Sequence, residues 1–246
     1  MSRATALLLA LQLTGSALML AFGLACLRVA RRPGLTLRAG GWFLTGVTFV
    51  AIGGVATFQN TWAVWAVAAG EGSGVMRWYL RFFEVLNTPR SLLAVGYSAA
   101  LAALLFVRRP LPTPRQVAAA VLACLAAGAV LGALRSAGPV EKAFELLSLL
   151  EAASLLLLLA ALYRALVTDA FDYLLWAAIA IYAAREAINF YFLSMMSLTS
   201  WWRPSGQLFH LVAIVSSSFM IACTLRRIAL ERAGREVPTF MGRIAR

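Results

Sequence analysis

Long apolar segments alternate with short polar ones along nearly the whole chain of 246 residues. Each apolar segment is close to, or longer than, the roughly 20 residues that an α-helix needs to cross a bilayer. Proline and glycine fall in the polar breaks, and the three prolines within 108–114 prevent a helix from continuing there. The pattern predicts seven spans, at about 4–29, 41–69, 78–107, 116–134, 143–167, 173–197 and 207–230.

The composition places this chain in lipid. It is 62% hydrophobic and 13% charged, with a mean hydropathy of +0.82. Soluble domains contain nearer half apolar and a quarter charged residues. We therefore predict an all-α membrane protein, with a seven-helix transmembrane domain at 1–230 and a short basic cytoplasmic tail at 231–246.

The charges predict an orientation. The 22 basic residues exceed the 10 acidic ones and give a net charge of +12. Most of the excess lies at one end of the spans, for example at Arg28, Arg108 and Arg226. By the positive-inside rule this end is cytoplasmic, so seven spans leave the N-terminus outside and the C-terminus inside the cell (inner) membrane. The basic face is expected to contact anionic lipid headgroups rather than nucleic acid, because no soluble basic domain is present.

Metal and cofactor chemistry finds little support. Cys26, Cys124 and Cys223 all lie in apolar stretches and are expected to be free thiols. His210 is the one histidine, which excludes a multi-histidine zinc site or bis-histidine haem within this chain. The one lysine, Lys142, lies near the predicted outer end of the fifth span, which argues against a retinal Schiff base. We expect no cofactor and no metal.

The third span carries charged and amide residues where hydrocarbon is expected. Arg81, Glu84 and Asn87 recur at three-residue spacing and share one helix face, where Arg81 and Glu84 are close enough to pair. Arg90 lies about 18 Å from the predicted outer end, and the preceding Pro89 should kink the helix. Such residues persist in membranes when they are paired or face a cavity.

The sixth span has a similar set near its middle. Arg185 and Glu186 lie about 18 Å from the predicted cytoplasmic end, and Asn189 follows one turn later on the face of Arg185. Adjacent residues point about 100° apart on a helix. We therefore expect Arg185 and Glu186 not to pair with each other but to find partners on other helices.

Further polar residues lie at matching depths in other spans. Hydrocarbon offers them no partners, so helices 2, 3, 5, 6 and 7 are expected to turn them toward one cavity in the outer half of the bundle. Helices 1 and 4 carry no charge in mid-span and are expected to pack outside it. The predicted ligand-binding residues are Gln59, Asn60, Arg81, Glu84, Asn87, Arg90, Glu151, Arg185, Glu186, Asn189 and His210.

These residues support more than one interpretation. They could form a structural ion-pair network, or they could bind a small polar or anionic ligand. The second interpretation favours a non-enzymatic sensor, receptor-like protein or accessory subunit of a membrane complex. The alternative is a small proton- or cation-coupled transporter that uses Glu84, Glu151 or Glu186, and a weaker third option is a membrane enzyme that acts on lipid.

The fourth span presents a ridge of small residues. Cys124, Gly128 and Gly132 follow one another at four-residue spacing, and such a ridge lets another helix approach closely. The ridge predicts either packing within the chain or a contact with a protein partner or a second copy.

Overall fold

The structure is a computed structural model that describes residues 3–30, 36–107, 112–136, 140–195 and 204–239. Within these ranges, the side chains at 3–4, 84, 135–136, 140–148, 192–195, 204–207 and 209 lie outside the description.

The described residues form seven helices and no sheet, which confirms the all-α prediction. Six of these helices are long and apolar enough to cross a membrane. The other, α6, carries Arg185 and Glu186 in its middle. The architecture is that of a polytopic membrane protein, with helices α1 (Arg3–Ala30), α2 (Leu37–Ala69), α3 (Gly74–Phe106), α4 (Pro114–Ser136), α5 (Val140–Val167), α6 (Tyr173–Met195) and α7 (Pro204–Arg232).

Six of the helices form a closed ring. Around the ring, α1 contacts α2, followed by α3, α5, α6 and α7, and α7 returns to α1. Helix α4 lies outside the ring, mainly against α3, as expected. The prediction that α1 also packs outside was wrong. A mostly apolar helix such as α1 can still be part of the ring, because its place depends on which neighbouring helices fit its surface.

Glycines allow α1 and α2 to pack with their backbones close together. A Cβ atom on Gly53 would lie 2.5 Å from the backbone nitrogen of Leu20, and one on Gly23 would lie 2.5 Å from that of Val50. Neither space admits a side chain. Close backbone packing commonly stabilises the association of membrane helices, because the hydrophobic effect contributes little to association within lipid.

The small-residue ridge of α4 packs within the chain. A Cβ atom on Gly128 would collide with the backbone of Pro89 in α3. The Cys124 sulfur occupies the space next to Gly96, 3.0 Å from the position that a Cβ atom would take there. The ridge therefore packs α4 against the segment of α3 that contains Pro89.

A buried carboxylate joins three helices at the predicted cytoplasmic end. Asp172, which is 0% exposed, begins α6 by accepting a hydrogen bond from the backbone N–H of Leu175 at 2.9 Å. Its other oxygen, Oδ2, accepts from Trp42 Nε1 of α2 at 3.0 Å and lies 3.3 Å from Arg227 Nε of α7. We call this group the Asp172 cluster.

The segment after α7 folds back onto the same end. Val237 is buried, and the backbone N–H of Tyr173 donates to the carbonyl of Pro238 at 3.5 Å. The Thr239 hydroxyl donates to the carboxylate of Asp169. The first part of the predicted tail therefore packs on the bundle, and 240–246 lie outside the described residues.

Candidate ligand-binding cavity

A cavity of about 350 Å³ lies inside the helix ring. Every ring helix contributes polar side chains to its wall. Nine of the eleven residues predicted for the site line it: Gln59, Asn60, Asn87, Arg90, Glu151, Arg185, Glu186, Asn189 and His210. The structure thus brings together side chains from α2, α3, α5, α6 and α7 that are widely separated in sequence.

Of the other two predicted site residues, Arg81 lies elsewhere, and the side chain of Glu84 is not among those described. Arg81 is exposed and places its guanidinium carbon 5.7 Å from the ring centre of Trp78, on the surface rather than in the cavity. The Glu84 side chain lies outside the described residues, so its predicted pairing with Arg81 stays a prediction.

Helix α1 supplies polar groups that the sequence analysis did not include. Gln12 Nε2 lies 3.0 Å from His210 Nε2, which joins α1 to α7. Asn60 Nδ2 donates to the carbonyl of Gln12 at 3.0 Å and to the hydroxyl of Ser16 at 3.2 Å, which joins α2 to α1. Gln12 and Ser16 are four residues apart and share one face. That spacing in an otherwise apolar helix was the signal for them.

Arg90 reaches the cavity from α3, where it directly follows Pro89. Its Nη1 donates to Gln59 Oε1 of α2 at 3.2 Å. Its Nε is buried, and no described residue accepts a hydrogen bond from it. Since an unsatisfied buried donor is costly, Arg90 retains hydrogen-bonding capacity for a further partner.

Arg185 and Glu186 contact each other, contrary to prediction. Arg185 Nη1 lies 3.4 Å from Glu186 Oε1, and the two residues are only 7% and 4% exposed. The prediction considered the directions of the Cα–Cβ bonds, but both side chains are long enough to bend toward the same cavity. The contact is longer than an ordinary charge-assisted hydrogen bond, and the described residues offer no acceptor to Arg185 Nε.

Glu151 of α5 faces a second carboxyl group. It is 7% exposed, and the side chains of Glu186 and Asn189 are within hydrogen-bonding reach of it. Its Oε2 is buried without a hydrogen-bond partner among the described residues. Two carboxyl groups that share a buried site repel each other when both are charged, so this pair favours a cation, a donor or a shared proton between them.

Four aromatic rings pack together on the predicted cytoplasmic side of the cavity. Phe49 makes edge contacts with Phe22 at 4.9 Å, Tyr182 at 4.8 Å and Tyr97 at 5.8 Å between ring centres. All four residues are almost fully buried, and Tyr182 also lines the cavity. The Tyr97 hydroxyl lies 2.9 Å from Thr45 Oγ1. These rings form a packed aromatic floor.

The described residues include no group of three or more histidine, cysteine, aspartate or glutamate side chains arranged to hold a metal ion. No known family model, curated protein or solved structure matches the chain. The geometry of the cavity is therefore the basis on which a function can be proposed.

Proposed function

We propose that this chain is a non-enzymatic protein of the cell (inner) membrane that binds a small polar or anionic ligand in the central cavity, as a sensor, receptor or accessory subunit. The observation that carries the proposal is the convergence of polar side chains from all six ring helices on one cavity of about 350 Å³. Small-molecule sites commonly have volumes of about 300–1,000 Å³ and a few convergent polar groups. Intramembrane ionisable residues usually mark function.

The charges of the wall favour an anion. Arg90 and Arg185 contribute two positive charges. The carboxyls of Glu151 and Glu186 face each other, which disfavours a negative charge on both at once, so positive charge is in excess among the described lining residues. An anionic group could accept hydrogen bonds from the guanidinium groups and balance that charge. The basic surface at the opposite end would contact anionic lipid.

The aromatic floor favours a binding site over an open conduit, because its four almost fully buried rings pack together on the predicted cytoplasmic side of the cavity. The juxtaposed carboxyls of Glu151 and Glu186 support a second candidate, a proton- or cation-coupled transporter. In that case the cavity would attract cations rather than anions.

The two candidates differ in the charge of the solute that enters. Ser91 lines the cavity beside Arg90, so Ser91→Cys places a thiol there in a chain whose Cys26, Cys124 and Cys223 are replaced by alanine. We expect this thiol to react faster with a sulfonate-bearing methanethiosulfonate than with an ammonium-bearing one. After each rate is divided by the rate of that reagent with a free thiol in solution, the ratio should be about tenfold. One uncompensated charge a few ångströms away supplies this roughly 1.4 kcal/mol. Labelling rates in lipid nanodiscs measure the preference.

The matched control is Ser98→Cys, on the same helix but buried away from the cavity against Ser154. It should not react. The anion preference should disappear in Arg90→Gln and persist in Arg77→Gln, which changes an exposed arginine of α3. A preference for the ammonium reagent would favour the transporter, and equal or absent labelling with both reagents would contradict an anion-binding cavity.

Orientation can be tested with the same reagents on intact cells. Gly72 and Thr113 are exposed and lie in loops at opposite ends of the bundle. With the arginine-rich end inside, Gly72→Cys should react with an impermeant reagent and Thr113→Cys should not. Both should react after the membrane is opened. Labelling of Thr113→Cys alone would place the cavity in the cytoplasmic half.

A further inference from the structure

The cavity wall is chemically uneven. Five apolar residues line it where α1, α2 and α3 approach their predicted outer ends: Leu8, Ala63, Val67, Met76 and Leu80. At 1.5 Å per residue, each lies within about 9 Å of the end of its helix. We call this surface the apolar wall. It covers the outer part of one side of the cavity.

The positive charges lie deeper. Arg185 is ten residues from the end of α6 and Arg90 sixteen from the start of α3, or about 15 Å and 24 Å along the two helices. Both guanidinium groups keep a buried Nε without an acceptor among the described residues, and Arg185 is only 7% exposed. A ligand that reaches these donors from the outer end passes the apolar wall.

A wholly hydrophilic anion would leave the apolar wall facing water. A wholly apolar molecule would leave the deep arginine donors unsatisfied, which costs free energy in a buried site. A molecule with an anionic group at one end and an apolar body at the other satisfies both parts. The volume of about 350 Å³ limits it to on the order of ten non-hydrogen atoms.

We infer that the ligand is a small amphiphilic monoanion, with a carboxylate-type head at Arg90 and Arg185 and an alkyl chain or ring against the apolar wall. This inference rests on the proposed function, since it names the class of ligand for the same cavity. It predicts affinity that depends on both the charge and the length of the ligand.

The Ser91→Cys chain tests this by protection. Unbranched carboxylates from acetate to octanoate should slow its reaction with the sulfonate reagent. The half-protecting concentration should fall by up to about fourfold for each added methylene that contacts the apolar wall. Alkylammonium ions of the same chain lengths control for partitioning into detergent and lipid. They should not slow the reaction of the Ser91→Cys thiol. The half-protecting concentrations of the carboxylates should be the same in neutral-lipid nanodiscs and in nanodiscs that contain phosphatidylglycerol.

A pair of variants locates the apolar part of the ligand. Val67→Thr keeps the shape of a side chain in the apolar wall but replaces one of its methyl groups with a hydroxyl. It should reduce the advantage of octanoate over acetate by about fourfold, the effect of roughly one buried methylene. Val64→Thr makes the same change on the same helix outside the cavity wall and should leave the advantage unchanged.

The possible failures can be told apart. If the sulfonate preference is present but protection is the same from acetate to octanoate, the inference is wrong and the proposed function stands. Equal protection by alkylammonium ions, or equal effects of Val67→Thr and Val64→Thr, would also overturn the inference. Loss of carboxylate protection in phosphatidylglycerol nanodiscs would assign the cavity to a bilayer lipid instead. Absence of the sulfonate preference would remove the proposed function as well.

Discussion

Two buried carboxylates in this molecule have opposite surroundings. At the predicted cytoplasmic end, both oxygens of Asp172 accept hydrogen bonds, and Arg227 lies 3.3 Å away. In the predicted outer half, Glu151 faces another carboxyl group and keeps one oxygen without a partner among the described residues. Both residues are at most 7% exposed, so burial alone does not distinguish them.

The contrast separates two uses of a buried charge. A carboxylate whose two oxygens both accept hydrogen bonds, with a cation beside it, fixes the positions of the helices that supply its partners. A polar group that remains unsatisfied next to a cavity is destabilising until water or a ligand reaches it. The two kinds of buried carboxylate thus lie at different depths of the same bundle, and the proposed ligand would satisfy the second kind.

Replacing a carboxylate by an amide should lower the stability of the protein far more at Asp172 than at Glu151. Asp172→Asn removes the buried charge that pairs with Arg227 while keeping the size of the side chain. Breaking a buried pair in this way costs about 3–5 kcal/mol in soluble proteins, so we expect a large fall in the melting temperature in detergent. Glu236→Gln makes the equivalent change at an exposed residue and should leave the melting temperature unchanged. Equal melting temperatures for these two variants would mean that the Asp172 cluster does not stabilise the bundle.

Removal of one donor from the Asp172 cluster should have an intermediate effect. Trp42→Phe deletes the Nε1 donor, and a hydrogen bond to a charged group contributes about 1.5–3 kcal/mol. Trp176→Phe deletes a bond to the neutral carbonyl of Leu162 at 3.0 Å and should cost about 0.5–1.5 kcal/mol. Thermal unfolding of the two variants measures the difference. A larger loss for Trp176→Phe would show that the charge of Asp172 adds nothing.

The smallest effect on stability is expected at Glu151. Glu151→Gln removes a carboxyl group that faces Glu186, and the new amide can donate to that carboxylate. We expect the free energy of unfolding to change by less than about 1 kcal/mol, or to increase, as is common when unsatisfied groups at functional sites are replaced. Thermal unfolding beside Asp172→Asn provides the measurement. A loss as large as that of Asp172→Asn would mark Glu151 as structural too.

The sequence predicted the parts of this structure that depend on one helix at a time. The lengths of the apolar segments predicted all seven helices, and depth along the spans predicted nine of the polar residues that line the cavity, including Glu151 and His210. Contacts between side chains were harder to predict. Arg185 and Glu186 are adjacent in sequence, and this position alone did not indicate that both side chains bend into the cavity and contact each other.

The Asp172 cluster illustrates the remaining limit. Trp42 and Asp172 are 130 positions apart in sequence, and each lies where a tryptophan or an N-terminal aspartate is ordinary in a membrane helix. Their hydrogen bond depends on how α2 and α6 are arranged around the ring. Gln12 was missed for a similar reason, because one neutral amide in an apolar helix does not by itself indicate a cavity.

The closure of the ring by α1 and α7 has a consequence for biosynthesis. Helices enter the membrane in the order of their synthesis and then associate. The first helix can pack closely on the second early, but its opposite side has no neighbour until the last helix has been inserted. Before that moment Gln12 lacks His210, and Asp172 lacks Arg227. The ribosome has therefore synthesised every helix from α1 to α7 before the cavity can exist, and until then the polar residues of the inserted helices must be shielded by lipid headgroups, water or the insertion machinery.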